Sequence, residues 1–140
     1  MTRSMFLILC LVVAPIPLQA DYFWDFSGKL VYTNGSEQTF NGFRCLYSGG
    51  LHYSRNLESL SPENYPTTAE VRLEGVARIN FSERPNTNVR RGTVRFRNGK
   101  TLEDVLLYVE ECSWTDRPNL KGKLNDPDIA SLVIIGVPKR

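Results

Sequence analysis

Residues 92–99 read GTVRFRNG, and this short stretch carries the signal that decides the fold. Its apolar residues, Val94 and Phe96, alternate with two arginines. A period of two is typical of a β-strand that buries one face and exposes the other. The stretch ends in the dipeptide Asn98-Gly99, which is favoured in tight hairpin turns whose two central residues both have positive φ. It therefore predicts a strand that leads directly into a β-hairpin.

A second stretch of the chain follows the same pattern. Residues 28–35 read GKLVYTNG, with a leading glycine, alternating apolar residues and a closing Asn-Gly dipeptide. The two stretches together predict two related hairpins. An internal duplication and the convergence of ordinary strand–turn–strand units explain the likeness equally well, so both explanations stay open.

The rest of the chain also alternates or is rich in β-branched residues. Alternation continues over residues 70–82 and 105–109, and the last apolar run spans residues 130–137. Helix is limited to candidate single turns at residues 55–60 and 126–128. We therefore expect an all-β fold, an antiparallel β-sandwich or small barrel of about seven or eight strands with at most one or two short helical turns. Much of the expected core is aromatic: Trp24, Phe26, Tyr32, Phe40, Phe43, Phe81 and Phe96.

The first twenty residues have the layout of a secretory signal peptide. Arg3 gives a positive start, residues 5–14 are apolar, and Ala20 is the small residue before a cleavage point. The apolar run is shorter than the roughly 20 residues that a membrane-spanning helix needs. We therefore predict a signal peptide over residues 1–20, a single β domain over residues 21–140, no transmembrane segment and a secreted protein, periplasmic if the source is bacterial. A buried N-terminal strand or helix is the alternative.

Two cysteines follow the predicted cleavage point. The chain has three cysteines, and Cys10 lies inside the predicted signal peptide, which leaves Cys45 and Cys112. An even number of cysteines in an oxidising compartment predicts a disulfide between them. Two buried free thiols are the alternative, since the sequence does not show that the two Cβ atoms meet.

Few residues in the chain are suited to catalysis or to metal binding. His52 is the only histidine among 140 residues, and no serine lies in a G-x-S-x-G motif. Acidic pairs such as Glu103-Asp104 are explained by cross-strand pairing with arginines, Arg95 among them. Residues 125–128 gather oxygens but lack the calcium-loop pattern. We therefore predict no cofactor, no metal and no enzymatic activity, with a small hydrolase that uses His52 as an alternative.

The charge of the chain is balanced overall but uneven locally. Lysine and arginine total 17 against 15 acidic residues, which disfavours a nucleic-acid binder. Arginines nevertheless cluster in the predicted hairpin 90–100, where they suit an acidic protein, an anionic surface or an anionic glycan. A solvated edge that discourages aggregation is the alternative. Two polar loops, residues 48–56 and 113–119, are further candidate surfaces. The candidate binding residues are Arg90, Arg91, Arg95, Arg97, His52, Tyr53, Arg55 and Trp114.

The predicted export, the predicted disulfide and the lack of a convergent catalytic set together favour a binding function. We expect a small secreted or periplasmic β-sandwich protein that acts as a non-catalytic binding or interaction module, as a component of an extracellular or cell-envelope assembly or as a secreted effector. A β-barrel that binds a small ligand or lipid is the alternative. Asn34 and Asn80 lie in N-x-[ST] sequences and are expected glycosylation sites if the source is eukaryotic.

Overall fold

The structure is a computed structural model that describes residues 26–45, 50–60, 69–109, 112–114 and 123–136. The predicted signal peptide and the predicted core residue Trp24 lie outside these ranges. The nine strands are β1 (Phe26–Tyr32), β2 (Glu37–Cys45), β3 (Gly50–Ser54), β4 (Ala69–Arg72), β5 (Val76–Phe81), β6 (Val89–Phe96), β7 (Thr101–Tyr108), β8 (Cys112–Trp114) and β9 (Ile129–Gly136). Single 3-10 turns lie at Leu57–Ser59, Leu73–Gly75 and Lys123–Asn125. No helix among these residues is long and apolar enough to span a membrane.

The nine strands form one antiparallel sheet in the order β4-β3-β7-β6-β5-β9-β1-β2-β8. The predicted all-β antiparallel fold is therefore confirmed. The described residues contain nine strands where the sequence predicts seven or eight, and three short helical turns where it predicts one or two. The sheet is not closed, because β4 and β8 form its two edges. Strand β9 lies in the middle of the sheet, between β1 and β5.

One face of the sheet surrounds the main hydrophobic core. Strands near both edges contribute to this core, since Phe43 of β2 and Cys112 of β8 belong to the same buried cluster as Leu51 of β3 and Val71 of β4. The central strand β9 adds Leu132 to the cluster. The sheet therefore curls around one core, and we call the enclosed face the inner face and the opposite one the outer face.

The aromatic residues divide between the centre and the margin of this core. Phe26, Phe40 and Phe43 are buried, as the sequence predicts. Tyr32, Phe81 and Phe96 are half-buried and pack against the cluster from its margin. Phe40 and Phe43 also contact each other, with ring centroids 5.6 Å apart in a tilted arrangement.

Four strands break the two-residue period, and each break is a β-bulge. Inward-facing apolar residues are three positions apart instead of two at 40–43, 76–79, 102–105 and 129–132. The pairing register shifts at the same places. The extra residue keeps the apolar side chains on both sides of it on the inner face. In β7 the bulge contains Asp104, which has a φ of 58° and is the one non-glycine residue with positive φ in the described part of the chain.

Both predicted Asn-Gly turns are present, but their conformation differs from the predicted one. Asn34-Gly35 joins β1 to β2, and Asn98-Gly99 joins β6 to β7. Only the glycine of each turn has positive φ, 91° in both cases, so the turn with two positive φ values is a wrong prediction. The asparagine side chain supports the observed form, because its Oδ1 accepts a hydrogen bond from the backbone N–H of Ser36 or of Lys100.

A smaller hydrophobic cluster lies on the outer face. Val89 of β6 and Leu106 and Tyr108 of β7 are buried there together with Leu60, which follows the 3-10 turn at Leu57–Ser59. The alternation of these strands directs Val105 and Leu107 to the inner face, which leaves Leu106 on the outer one. Part of the outer face is thus covered by the chain itself. Beyond it, the outer face carries Arg78 and Asn80 of β5 and the mixed side chains Ser131, Val133 and Ile135 of β9.

We expect Gly28→Ala to destabilise the protein, because Gly28 lies where β1 passes very close to β9. A Cβ on this residue would overlap the backbone carbonyl oxygen of Val133. Overpacking of this kind typically costs about 1–3 kcal/mol, and urea denaturation measures it. Gly75→Ala is the matched control, since a Cβ there meets no atom within 4 Å. Equal stability of the two variants would contradict the close approach of β1 and β9.

Candidate functional site

Arg90 does not lie on the exposed basic surface where the sequence analysis placed it. Its side chain is 2% exposed, because β6 turns its even-numbered residues toward the inner face. The guanidinium donates hydrogen bonds to the carbonyl oxygens of Leu124, Asp126 and Ile129, at 3.1, 2.9 and 3.1 Å. Its central carbon lies 4.7 Å from the centre of the Phe81 ring, and burial lowers its pKa. Arg90 therefore fastens a loop to the sheet and has a structural role.

Arg91 lies on the outer face, but two carboxylates neutralise it. Its Nε is 2.7 Å from Glu83 Oε1, and its Nη1 is 3.3 Å from Asp104 Oδ1. The hydrogen bond to Glu83 is the main cause of the raised pKa of Arg91, and the charge of Asp104 adds to it. Arg91 is therefore engaged within the chain.

Three other arginines form the candidate site, and we call Arg78, Arg95 and Arg97 the arginine patch. Arg78 and Arg95 are direct partners in the β5–β6 ladder, and Arg97 follows two positions after Arg95. Directly opposite residues hold their Cβ atoms about 4.5–5.5 Å apart, so two side chains of like charge start side by side on the sheet. Within the described ranges, no carboxylate lies within 4.0 Å of any of these three guanidiniums.

Neighbouring polar side chains hold Arg78 in one orientation. Its Nε donates to Asn80 Oδ1 at 2.8 Å, and its Nη2 donates to Ser131 Oγ at 3.1 Å. Ser131 in turn donates to the same Asn80 oxygen at 2.7 Å, and Ser131 is 3% exposed. The two bonds from Arg78 fix the plane of its guanidinium, and the bond between Ser131 and Asn80 holds the two acceptors in place. A planar guanidinium in a fixed orientation is suited to bidentate binding of a carboxylate or phosphate.

The register of the β6–β7 hairpin explains why no acidic residue lies opposite Arg95. The pairing of Arg95 with Glu103-Asp104, expected from the sequence, does not form, since Arg95 lies opposite Thr101. The two acidic residues fall within the bulge instead, where Asp104 contacts Arg91. Arg55 donates a hydrogen bond to the carbonyl oxygen of Glu103 at 3.0 Å. The acidic residues nearest in sequence are thus directed away from the arginine patch.

Arg78 is the member of the patch that the sequence analysis missed as a candidate. The alternation of residues 70–82 does place it on the wet face of a strand. Its position opposite Arg95 depends on the bulge between Val76 and Arg78, which shifts the pairing register by one residue. The three-residue step from Val76 to Ile79 is the sequence signal that indicates this bulge.

The candidate residues of the polar loops do not join the arginine patch. His52 lies opposite Glu70 in the β3–β4 ladder, and Tyr53 packs against the main core on the other face of the same strand. Arg55 contacts the bulge in β7, as described above. Trp114 lies in the edge strand β8 with its backbone opposite Phe43, and its side chain is outside the described part of the structure.

The two predicted disulfide cysteines lie directly opposite each other. Cys45 of β2 and Cys112 of β8 are partners in the antiparallel ladder, and Cys112 is 1% exposed. Opposite residues in such a ladder have Cα atoms about 4.5 or 5.5 Å apart, depending on the type of pair. Both spacings fall within the range of about 4.4–6.8 Å that a disulfide requires.

The two candidate glycosylation sites differ in their surroundings. Asn34 is exposed at the tip of a hairpin, and its Oδ1 accepts hydrogen bonds from the backbone N–H and the hydroxyl of Ser36. Asn80 lies inside β5, and its Oδ1 is bound by Arg78 and Ser131. Both asparagines are exposed, but only Asn34 lies in a turn, whereas Asn80 lies within a paired strand.

A polar cleft of about 380 Å³ lies at the end of the β1–β2 hairpin. It is lined by Tyr32, Thr33, Asn34, Ser36, Asp126 and Asp128. In the described part of the chain, no three histidine, cysteine or acidic side chains gather as metal ligands would. No protein-family model, curated protein or solved structure matches the chain.

Proposed function

We propose that this chain is an exported, non-catalytic binding module whose arginine patch binds an anionic partner. The observation that carries the proposal is the side-by-side placement of Arg78 and Arg95 with no carboxylate of the described residues nearby. Like charges in directly opposite positions destabilise a sheet. An anion bound between the two guanidiniums removes this repulsion, and the fixed orientation of Arg78 favours such binding.

A site on the outer face also agrees with how the inner face is filled. Large apolar side chains such as Phe26, Leu107 and Leu132 occupy the core and are fully buried. A lipid-binding barrel needs an apolar cavity in this place, which these packed side chains occupy. We therefore prefer surface recognition to enclosure of a small apolar ligand.

The location and the disulfide belong to the same proposal. We infer that residues 1–20 direct the chain to a secreted or periplasmic location, where Cys45 and Cys112 form a disulfide. The opposite positions of the two cysteines in the β2–β8 ladder support this bond. It would hold the three-residue strand β8, which pairs with β2 alone in the described sheet.

Arg95→Gln is expected to weaken binding to a polyanion and at the same time to stabilise the fold. Retention of the protein on immobilised heparin, measured against sodium chloride, tests the first effect, and we expect about a tenfold loss of affinity, equal to about 1.4 kcal/mol. Urea denaturation tests the second effect, and the relief of repulsion with Arg78 is worth roughly 0.2–1 kcal/mol. The opposite signs of the two effects are typical of a residue kept for function.

Arg72→Gln is the matched control, because it removes the same charge from the edge strand β4. Arg72 lies 3.7 Å from Glu70 and 3.3 Å from Glu74, so its loss relieves no repulsion. We expect this variant to keep the retention of the wild-type protein and to gain no stability. If both variants lose retention equally, net charge and not the arginine patch determines binding, and the proposed site is wrong.

A further inference from the structure

The most exposed large apolar side chain in the described part of the chain lies next to the arginine patch. Ile135 is 62% exposed. It sits in a bulge of the β1–β9 ladder, where Ser27 pairs with Gly136 but Gly28 pairs with Ile134. Bulges re-aim side chains, and this one leaves Ile135 without a cross-strand partner. A single exposed apolar residue is ordinary on a protein surface, so the significance of Ile135 depends on the groups that surround it.

The exposed isoleucine and the arginines form one continuous surface. Arg97 Nη2 donates a hydrogen bond to the carbonyl oxygen of Ile134 at 3.4 Å, which places its guanidinium beside Ile135. Two positions before Ile135, the half-buried Val133 lies directly opposite Arg78. An apolar strip on β9 therefore runs alongside a cationic strip on β5 and β6. Apolar anchors combined with arginines are typical of the central contacts of protein interfaces.

We propose that the partner of this surface is an acidic segment of another protein, with an aliphatic side chain placed against Ile135 and flanking carboxylates bound by the arginine patch. This inference rests on the proposed function, since it names the class of anion that the patch takes. We infer the acidic flanks of the partner segment from charge complementarity, because the patch presents three guanidiniums without a described acidic neighbour. We infer the aliphatic residue at the centre of the partner segment from the exposure of Ile135.

A protein segment fits these features better than an anionic membrane does. A bilayer attracts cations by their charge alone and needs no fixed orientation of a guanidinium. Two hydrogen bonds from its own guanidinium hold Arg78 in one orientation. An oriented, planar guanidinium favours a planar carboxylate as its partner. Stable attachment to a bilayer also takes more apolar insertion than one isoleucine supplies. We therefore treat lipid binding as the competing outcome of the test.

The test uses two fluorescein-labelled peptides and a double-mutant cycle. One peptide has leucine between two pairs of glutamates, and the other has serine in place of the leucine. We expect the wild-type protein to bind the leucine peptide about fivefold more tightly, because the leucine buries part of its apolar surface against Ile135. Ile135→Ser is expected to abolish this preference, whereas Arg95→Gln is expected to weaken both peptides by the same factor. Fluorescence anisotropy measures the affinity of each of the three proteins for both peptides, and urea denaturation verifies that both variants are folded.

The outcomes separate this inference from the proposed function. If both peptides bind equally and Arg95→Gln weakens both, the apolar anchor is wrong but the anion site stands. If vesicles of phosphatidylglycerol bind through Ile135 and Arg95 while the peptides do not, the partner is a lipid surface and the inference is overturned. If Arg95→Gln changes neither peptide binding nor heparin retention, the proposed function fails together with the inference.

Discussion

Replacing Arg90 with methionine is expected to lower the free energy of unfolding by about 4 kcal/mol. Methionine has a similar length, so the core keeps much of its volume. The carbonyl oxygens of Leu124, Asp126 and Ile129 each lose the hydrogen bond from Arg90, and Asp126 keeps the one from the backbone N–H of Ile129. A buried polar group left without a partner costs about 1–3 kcal/mol, and the contact with Phe81 is lost as well. The shift of the urea midpoint at constant slope measures the effect.

Arg91→Met is the matched control for this prediction. Arg91 is the next residue in β6, but its partners are the exposed carboxylates Glu83 and Asp104. Exposed ion pairs contribute little to stability, so we expect a much smaller loss than for Arg90→Met. Similar losses in the two variants would show that the carbonyl contacts of Arg90 do not stabilise the fold. Arg90→Lys is expected to be intermediate, since an ammonium has no guanidinium fork.

The double variant Cys45→Ala/Cys112→Ala is expected to be less stable than the oxidised wild-type protein by about 4 kcal/mol, if the proposed disulfide forms. The bond would close a long loop, and it removes conformational entropy from the unfolded chain in proportion to the logarithm of the loop length. It would also hold β8, a strand of three residues at the sheet edge. Urea denaturation of the mature protein with and without a reducing agent measures this contribution.

The reducing agent supplies an internal control for the disulfide. We expect it to destabilise the wild-type protein and to leave the double variant unchanged. Mass spectrometry after alkylation of the unfolded, unreduced protein gives a second readout, since a disulfide protects both cysteines. Two alkylated cysteines together with a urea midpoint that does not respond to reduction would overturn the disulfide.

The sequence predicts the strands of this fold better than it predicts their register. Alternation at residues 92–99 and two Asn-Gly dipeptides correctly place both hairpins, because period and turn chemistry are local properties. The bulge at residues 76–79 also leaves a local signal, a three-residue step between apolar residues. The strand order is different, because it depends on long-range contacts such as the pairing of β1 with β9. No local pattern in the sequence contains that information.

The candidate site shows the same limit at the level of single residues. The alternation along β6 places Arg95 on the solvent-exposed face and Arg90 on the buried face with Val94. The burial of Arg90 therefore agrees with the sequence pattern. Burying a charged guanidinium costs free energy unless polar groups bind it. The sequence alone does not show the carbonyl groups that bind Arg90, so it does not predict this burial. The pairing of Arg95 with Arg78 likewise follows from the register and not from either strand alone.

The central position of β9 constrains when the chain can fold. Without residues 129–136, the sheet order divides into one group that contains β5 and another that contains β1, and no strand joins them. During synthesis these residues leave the ribosome after all the other strands. The decisive pairings therefore connect distant parts of the chain, and such contacts form slowly. A nascent chain of this topology cannot complete the described sheet before β9 has been synthesised, and late folding of this kind would suit the export proposed above.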